Sequence, residues 1–106
     1  MIGSYRHYEI LLPLRFNDGK SVPDELIGET LNELQEKFGA VSFEPSPVHG
    51  IWESEGRIFT DHLARLYVDI PDTAAKRRFF RQLKARLKSR FQQIDIWITT
   101  HPIEVL

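Results

Sequence analysis

Apolar and polar positions alternate along the first stretch of the chain, Tyr8–Phe16 (YEILLPLRF), and the alternation predicts a strand. Tyr8, Ile10, Leu12, Leu14 and Phe16 fall on one face, with Glu9, Leu11, Pro13 and Arg15 on the other. Asn17-Asp18-Gly19 then reads as a turn, because short polar side chains bond their own backbone and glycine accepts positive φ. The period next changes to 3.6. Leu26, Ile27, Thr30, Leu31, Leu34 and Phe38 share one arc of a helix, with Ser21 the expected N-cap and Gly39 the expected stop. Gly28, inside that helix, is expected to permit close packing against a strand.

Ala40–Trp52 predicts a second strand that Pro45 and Pro47 confine to a sheet edge or a bulge, or turn partly into a loop. Glu53–Gly56 predicts a hairpin turn into Arg57–Ile70, where Ala64, Leu66, Val68 and Ile70 alternate with Leu63, Arg65, Tyr67 and Asp69. A second helix, capped by Asp72 and running to about Gln92, gathers Phe79, Phe80, Leu83, Leu87 and Phe91 on one side. The last strand is expected over Ile94–Thr100, interrupted by His101-Pro102, with Ile103–Leu106 a short extension or a docked tail. The order β-α-β-β-α-β with two amphipathic helices predicts a single α+β domain over residues 1–106. The simplest such fold is a ferredoxin-like sandwich, an antiparallel sheet with both helices on one face. Pro13 is the misfit, because it falls in an expected central strand.

That fold leaves one sheet face bare. Leu11, Pro13, Arg15, Leu63, Arg65, Tyr67 and Trp97 are expected there, and so many apolar groups call for a cover. A homodimer joined through this face is the first expectation, with Leu11, Arg15, Leu63, Arg65, Tyr67 and Trp97 as interface or ligand-binding residues. The tail is an alternative cover. A small-molecule enzyme with its pocket at the dimer interface is another reading: Arg15 or Arg65 would hold an anion, His62 would move a proton, and Tyr67 and Trp97 would wall the pocket. His62 could pair there with Asp69 or Glu9. An RNA-binding sheet fits poorly, since RIFTDHLARLYVDI lacks the basic-Gly-aromatic opening such a strand uses.

Composition sharpens this picture in two places. Across 106 residues, 42% of them hydrophobic, the net charge is only -1, yet Val22–Gly39 carries -4 and Asp72–Gln93 carries +7. On the basic helix Arg77, Arg81, Lys84 and Lys88 form a stripe that could contact phosphates or an acidic protein. The competing reading sets this helix beside the acidic first one, each exposed pair then worth roughly 0–1 kcal/mol. The second point is the absence of cysteine, which removes disulfides, thiolate catalysis and thiolate metal sites. The four histidines show no metal spacing, so neither a metal site nor a cofactor is expected. Asp18 alone in a turn is a very weak metal signal. No apolar run reaches membrane length and no signal-like block opens the chain, so a cytoplasmic protein without a membrane partner is expected.

The segments YEILLPLRFNDG, PDELIGETLNELQEKFG and FQQIDIWITTHPIEVL resemble a small family of uncharacterised bacterial proteins with no assigned activity. The resemblance covers nearly the whole chain and implies no functional residues. The reading that follows is a non-catalytic homo-oligomeric binding or structural module. The alternatives are a nucleic-acid-binding protein that uses the second helix and the interface enzyme described above.

Overall fold

A computed structural model describes residues 4–106, apart from the side chains of residues 46 and 47. It contains β1 (Tyr5–Pro13), α1 (Asp24–Phe38), β2 (Ser42–Ser54), β3 (Arg57–Pro71), α2 (Ala74–Arg90) and β4 (Trp97–Ile103). The strands pair antiparallel in the order β2-β3-β1-β4, so the proline-bearing β2 is an edge strand. This is the ferredoxin-like sandwich, with both helices on one face of the sheet.

The alternation in the sequence builds the core directly. Tyr8, Ile10 and Leu12 of β1 and Ala64, Leu66, Val68 and Ile70 of β3 are buried beneath the helices. Ile27, Thr30 and Leu34 of α1 meet them, as do Phe80, Leu83 and Leu87 of α2 with Phe91 beyond it. Each such large apolar side chain contributes about 1.5–3 kcal/mol of transfer free energy. Tyr8 stacks on Phe80 with ring centres 3.9 Å apart, and Phe38 stacks on the same ring at 5.5 Å.

The charge segregation has a structural use. Arg86 and Arg90 reach from α2 to Glu33 of α1, and Arg90 also donates to the buried Thr30 hydroxyl at 2.9 Å. Thr30 Oγ1 in turn donates to the Leu26 carbonyl at 2.9 Å. Burial pushes the Glu33 carboxyl up, but the hydrogen bonds and charges of Arg86 and Arg90 outweigh it and hold it below the ordinary carboxylate value.

Several boundaries depart from expectation for local reasons. β1 starts three residues earlier than Tyr8 and ends at Pro13, whose missing N–H costs the ladder nothing at the strand terminus. Ser21 is not the cap of α1: it bridges to Arg15, Val22 is buried, and Pro23 enters the helix without a side-chain cap. Gly39 does stop α1, at φ 83°, with its N–H on the Gln35 carbonyl. Gly28 makes no close approach, since a Cβ there would meet open space. The hairpin turn is shorter than expected: Glu55 and Gly56 take φ values of 51° and 75°, as a two-residue turn that follows the strand twist requires.

Thr73, not Asp72, caps α2, accepting from the Lys76 N–H at 3.2 Å. Asp72 is occupied elsewhere, between Arg6 at 3.1 Å and Arg77 at 2.9 Å. Ile94 is exposed rather than in the last strand. Gln92 takes a left-handed φ of 54°, and Asp95 accepts the neighbouring Ile96 N–H, so the chain turns until Trp97. His101-Pro102 does not interrupt β4, because an edge strand tolerates proline on its unpaired side. The tail is not docked: Val105 and Leu106 are exposed.

Candidate functional site

Alternation places His7, Glu9, Leu11 and Pro13 of β1 on the face away from the helices. Leu63, Arg65, Tyr67 and Asp69 of β3 join them, with Trp97, Thr99 and His101 of β4. The register then composes rows across this face. Asp69, His7 and His101 form one, and Tyr67, Glu9 and Thr99 the next; Glu44, Arg65, Leu11 and Trp97 form a third.

His7 is the hub. Its Nδ1 lies 2.6 Å from Asp69 Oδ1 and its Nε2 3.6 Å from Glu9 Oε1. Its ring stands 5.3 Å from Tyr67 and 4.9 Å from His101. The Nδ1–Asp69 hydrogen bond orients the ring and sets Nε2 on the Glu9 side. Arg65 sits between two carboxylates, donating to Glu44 through Nε at 3.0 Å and to Glu9 through Nη1 at 3.4 Å. The Glu44 hydrogen bond and the two negative charges raise its pKa further. Its donors are committed to glutamates, so Arg65 is not free to hold an anionic substrate.

Of the expected face residues, Leu11, Leu63, Arg65, Tyr67 and Trp97 are together, and Trp97 is 62% exposed. Arg15 is elsewhere. β1 has ended, and Arg15 bridges to Ser21 in the loop beyond it. His62 also leaves the set, because it shares parity with Ala64 and therefore faces the helix side, opposite His49. Neither Asp69 nor Glu9 can be its partner across the sheet. Sequence reasoning misses His7, Glu44 and His101, and it assigns Asp69 and Glu9 to His62 where the structure sets them against His7. An earlier start to β1 would have put His7 in alternation with Glu9 and Leu11.

The open face continues along a two-stranded ribbon, Val48–Ser54 paired with Arg57–Leu63, which contributes to a long dimension of 50 Å. Trp52 and Phe59 stack on it with centres 4.4 Å apart, and Trp52 Nε1 donates to Asp61 at 2.7 Å. Ile51 and Ile58 project from the opposite side, 77% and 73% exposed.

The basic stripe on α2 is only partly available. Arg77 is paired with Asp72 and Lys84 with Asp95 at 3.0 Å, while Arg81 and Lys88 have no ion pair among the described residues. The Arg77 hydrogen bond, aided by Arg6 and opposed by burial, holds the Asp72 carboxyl below its ordinary range. The Lys84 hydrogen bond, opposed by burial, does the same for Asp95.

No family model matches the chain, and no curated protein does. Solved structures do. The divalent cation tolerance protein (CutA1) of Thermus thermophilus is 21% identical with a TM-score of 0.65, over 95% of this chain and 85% of that one. A phage SAM lyase in complex with S-methyl-5'-thioadenosine is 14% identical with a TM-score of 0.65, over 99% and 93%. The periplasmic divalent cation tolerance protein CutA of Archaeoglobus fulgidus is 18% identical with a TM-score of 0.64, over 95% and 85%. At these identities the likeness is one of fold.

Two expectations are corrected by these findings. The similar chains carry stated roles, so the resemblance to an uncharacterised bacterial family does not stand. The Archaeoglobus protein of the same fold is described as periplasmic, which overturns the cytoplasmic expectation. Among the described residues no helix is long and apolar enough to cross a membrane.

Proposed function

We propose that the protein is a non-catalytic homo-oligomeric binding module whose open sheet face, extended by the Trp52–Phe59 side of the ribbon, is the contact surface. The observation that carries this reading is the shared parity of apolar groups on this face. Exposed Trp97, Phe59 and Trp52 and half-buried Leu11, Leu63 and Tyr67 all lie on it, and the exposed Val105 and Leu106 of the tail do not cover them. A patch of this extent is uncommon on a lone soluble chain. The polar rows around His7 and Arg65 are already hydrogen-bonded within the chain, so a second copy can cover them without leaving these groups unpaired.

Sedimentation equilibrium at low micromolar concentration tests it. The wild type is expected at a multiple of the 12.4 kDa chain mass, and the double variant Trp52→Ser/Phe59→Ser at the chain mass itself. A wild type that sediments as a single chain contradicts the reading.

One observation favours a second reading, a small-molecule pocket where two copies meet. The Asp69–His7 pair has the arrangement of an oriented acid/base group, with the Tyr67 ring beside it. Loss of ligand binding or turnover in His7→Asn, with the assembly intact, would separate this reading from the first. Nucleic acid through α2 has less support, because Asp72 and Asp95 neutralise two of the four stripe residues.

A further inference from the structure

The four histidines form two cross-strand pairs, and the pairs differ in what their ring nitrogens do. His7 and His101 stand 4.9 Å apart, but Asp69 and Glu9 flank the two nitrogens of His7. His49 and His62 stand 4.8 Å apart with rings inclined at 72°, and neither ring makes a hydrogen bond among the described residues. The bulge in β2 produces this second pair. Glu44 lies opposite Arg65, yet Val48 lies opposite Leu63, so four steps along β2 match two along β3. That offset brings His49 opposite His62 and keeps both on the side of the ribbon away from Trp52 and Phe59.

We propose that His49 and His62 form a two-imidazole chelate for a divalent transition-metal ion. A histidine nitrogen binds such an ion at about 2.0–2.1 Å, which puts the ring centre about 3.2 Å from the metal. Two rings that share one ion at angles between about 90° and 110° then have centres about 4.5–5.2 Å apart. The observed separation of 4.8 Å falls inside that window, and among the described residues no hydrogen bond holds either ring against the rotation that would turn a nitrogen of each toward the ion. His49 is exposed and His62 half-buried, so an ion has access from solvent. Among the described residues no third carboxylate or histidine completes the set, and water fills the remaining positions. Imidazole donors without thiolate or carboxylate select copper, nickel and zinc over magnesium or calcium, with Cu²⁺ bound most tightly. The bound ion would tie the two strands of the ribbon together on the side that carries the exposed Ile51 and Ile58.

The plain alternative is edge-to-face packing of two neutral rings, which needs no ion. Calorimetric titration of the full chain with CuSO4 and, separately, NiCl2 distinguishes the two. One ion per chain is expected, with Cu²⁺ tighter than Ni²⁺. His49→Gln and His62→Gln should each weaken binding by about tenfold or more, while His101→Gln leaves it unchanged. Thermal melting gives an independent readout: Ni²⁺ raises the Tm of the wild type and of His101→Gln but not that of His49→Gln. Circular dichroism of each variant confirms its fold. Should His62→Gln fail to fold, the exposed His49→Gln still decides the matter. Absence of saturable binding, or binding that His49→Gln leaves intact, overturns the proposal.

Discussion

The two faces of the sheet follow opposite rules. Toward the helices, Leu12, Leu34, Leu66, Leu83 and Leu87 have no exposed surface, and the buried Thr30 hydroxyl has both a donor and an acceptor partner. Away from the helices, charged groups interleave with Leu11, Leu63, Tyr67 and Trp97, and the apolar surface continues onto a ribbon that projects past the core. The first face can be understood from this chain alone. The second carries exposed aromatic groups beside hydrogen-bonded polar rows, and the proposed contact between copies rests on it.

Neighbouring residues of β3 break the comparison most sharply. Leu66→Ala empties a fully buried site and is expected to lower stability by about 2–5 kcal/mol. Tyr67→Ala, one residue along and on the other face, should cost a dilute single chain less than about 1.5 kcal/mol and show its effect in assembly instead. Chemical denaturation measured at several protein concentrations separates the two outcomes. A large, concentration-independent loss in Tyr67→Ala would mean that the open face is part of the core.

The helix pairing should respond to acid. Glu33, Asp72 and Asp95 all have folded pKa values below their ordinary ones, so the stability they contribute is present above the unfolded values and lost as pH falls through the folded ones. Melting temperature is therefore expected to stay level near neutrality and to decline below about pH 4.5. Glu33→Gln should cost roughly 1 kcal/mol at pH 7, discounted for its partial exposure, and flatten part of the acid slope. An unchanged slope would show that the Glu33–Arg86–Arg90 contacts carry no net stabilisation.

The smallest effect concerns Gly28. Open space surrounds the position a Cβ would take, so Gly28→Ala should stabilise the helix by about 0.5–1 kcal/mol. Destabilisation there would mean that the groove above α1, lined by Glu25, Glu29 and Phe79, is filled in solution.

Much of the core was legible in the sequence, because burial of one face leaves an alternating or helical stripe. Ala64, Leu66, Val68 and Ile70 needed only the strand period, and Ile27, Thr30 and Leu34 only the helix period. The ends were harder. Ser21 and Asp72 have good capping side chains, but a backbone bridge to Arg15 holds Ser21 two residues ahead of the Pro23 cap, and pairing with Arg6 and Arg77 claims Asp72. The open-face cluster was the least legible. His7 and Asp69 lie 62 positions apart and meet only through the β1–β3 register, while the His49–His62 pair depends on the bulge in β2. Neither register can be inferred from local period. The acidic and basic helices were read correctly as a mutually compensating pair, since Glu29 and Glu33 do face Arg86 and Arg90.

Because the chain has no cysteine, one introduced thiol reports on one position. Thr99→Cys places it on the open face beside Glu9, and Gln82→Cys places it on the exposed side of α2. The rate of thiol labelling, followed as protein concentration rises, asks directly whether the open face meets another copy. Labelling at Thr99→Cys should slow as the assembly forms, while Gln82→Cys stays fast throughout. Equal and concentration-independent rates at the two positions would contradict a contact through the open face.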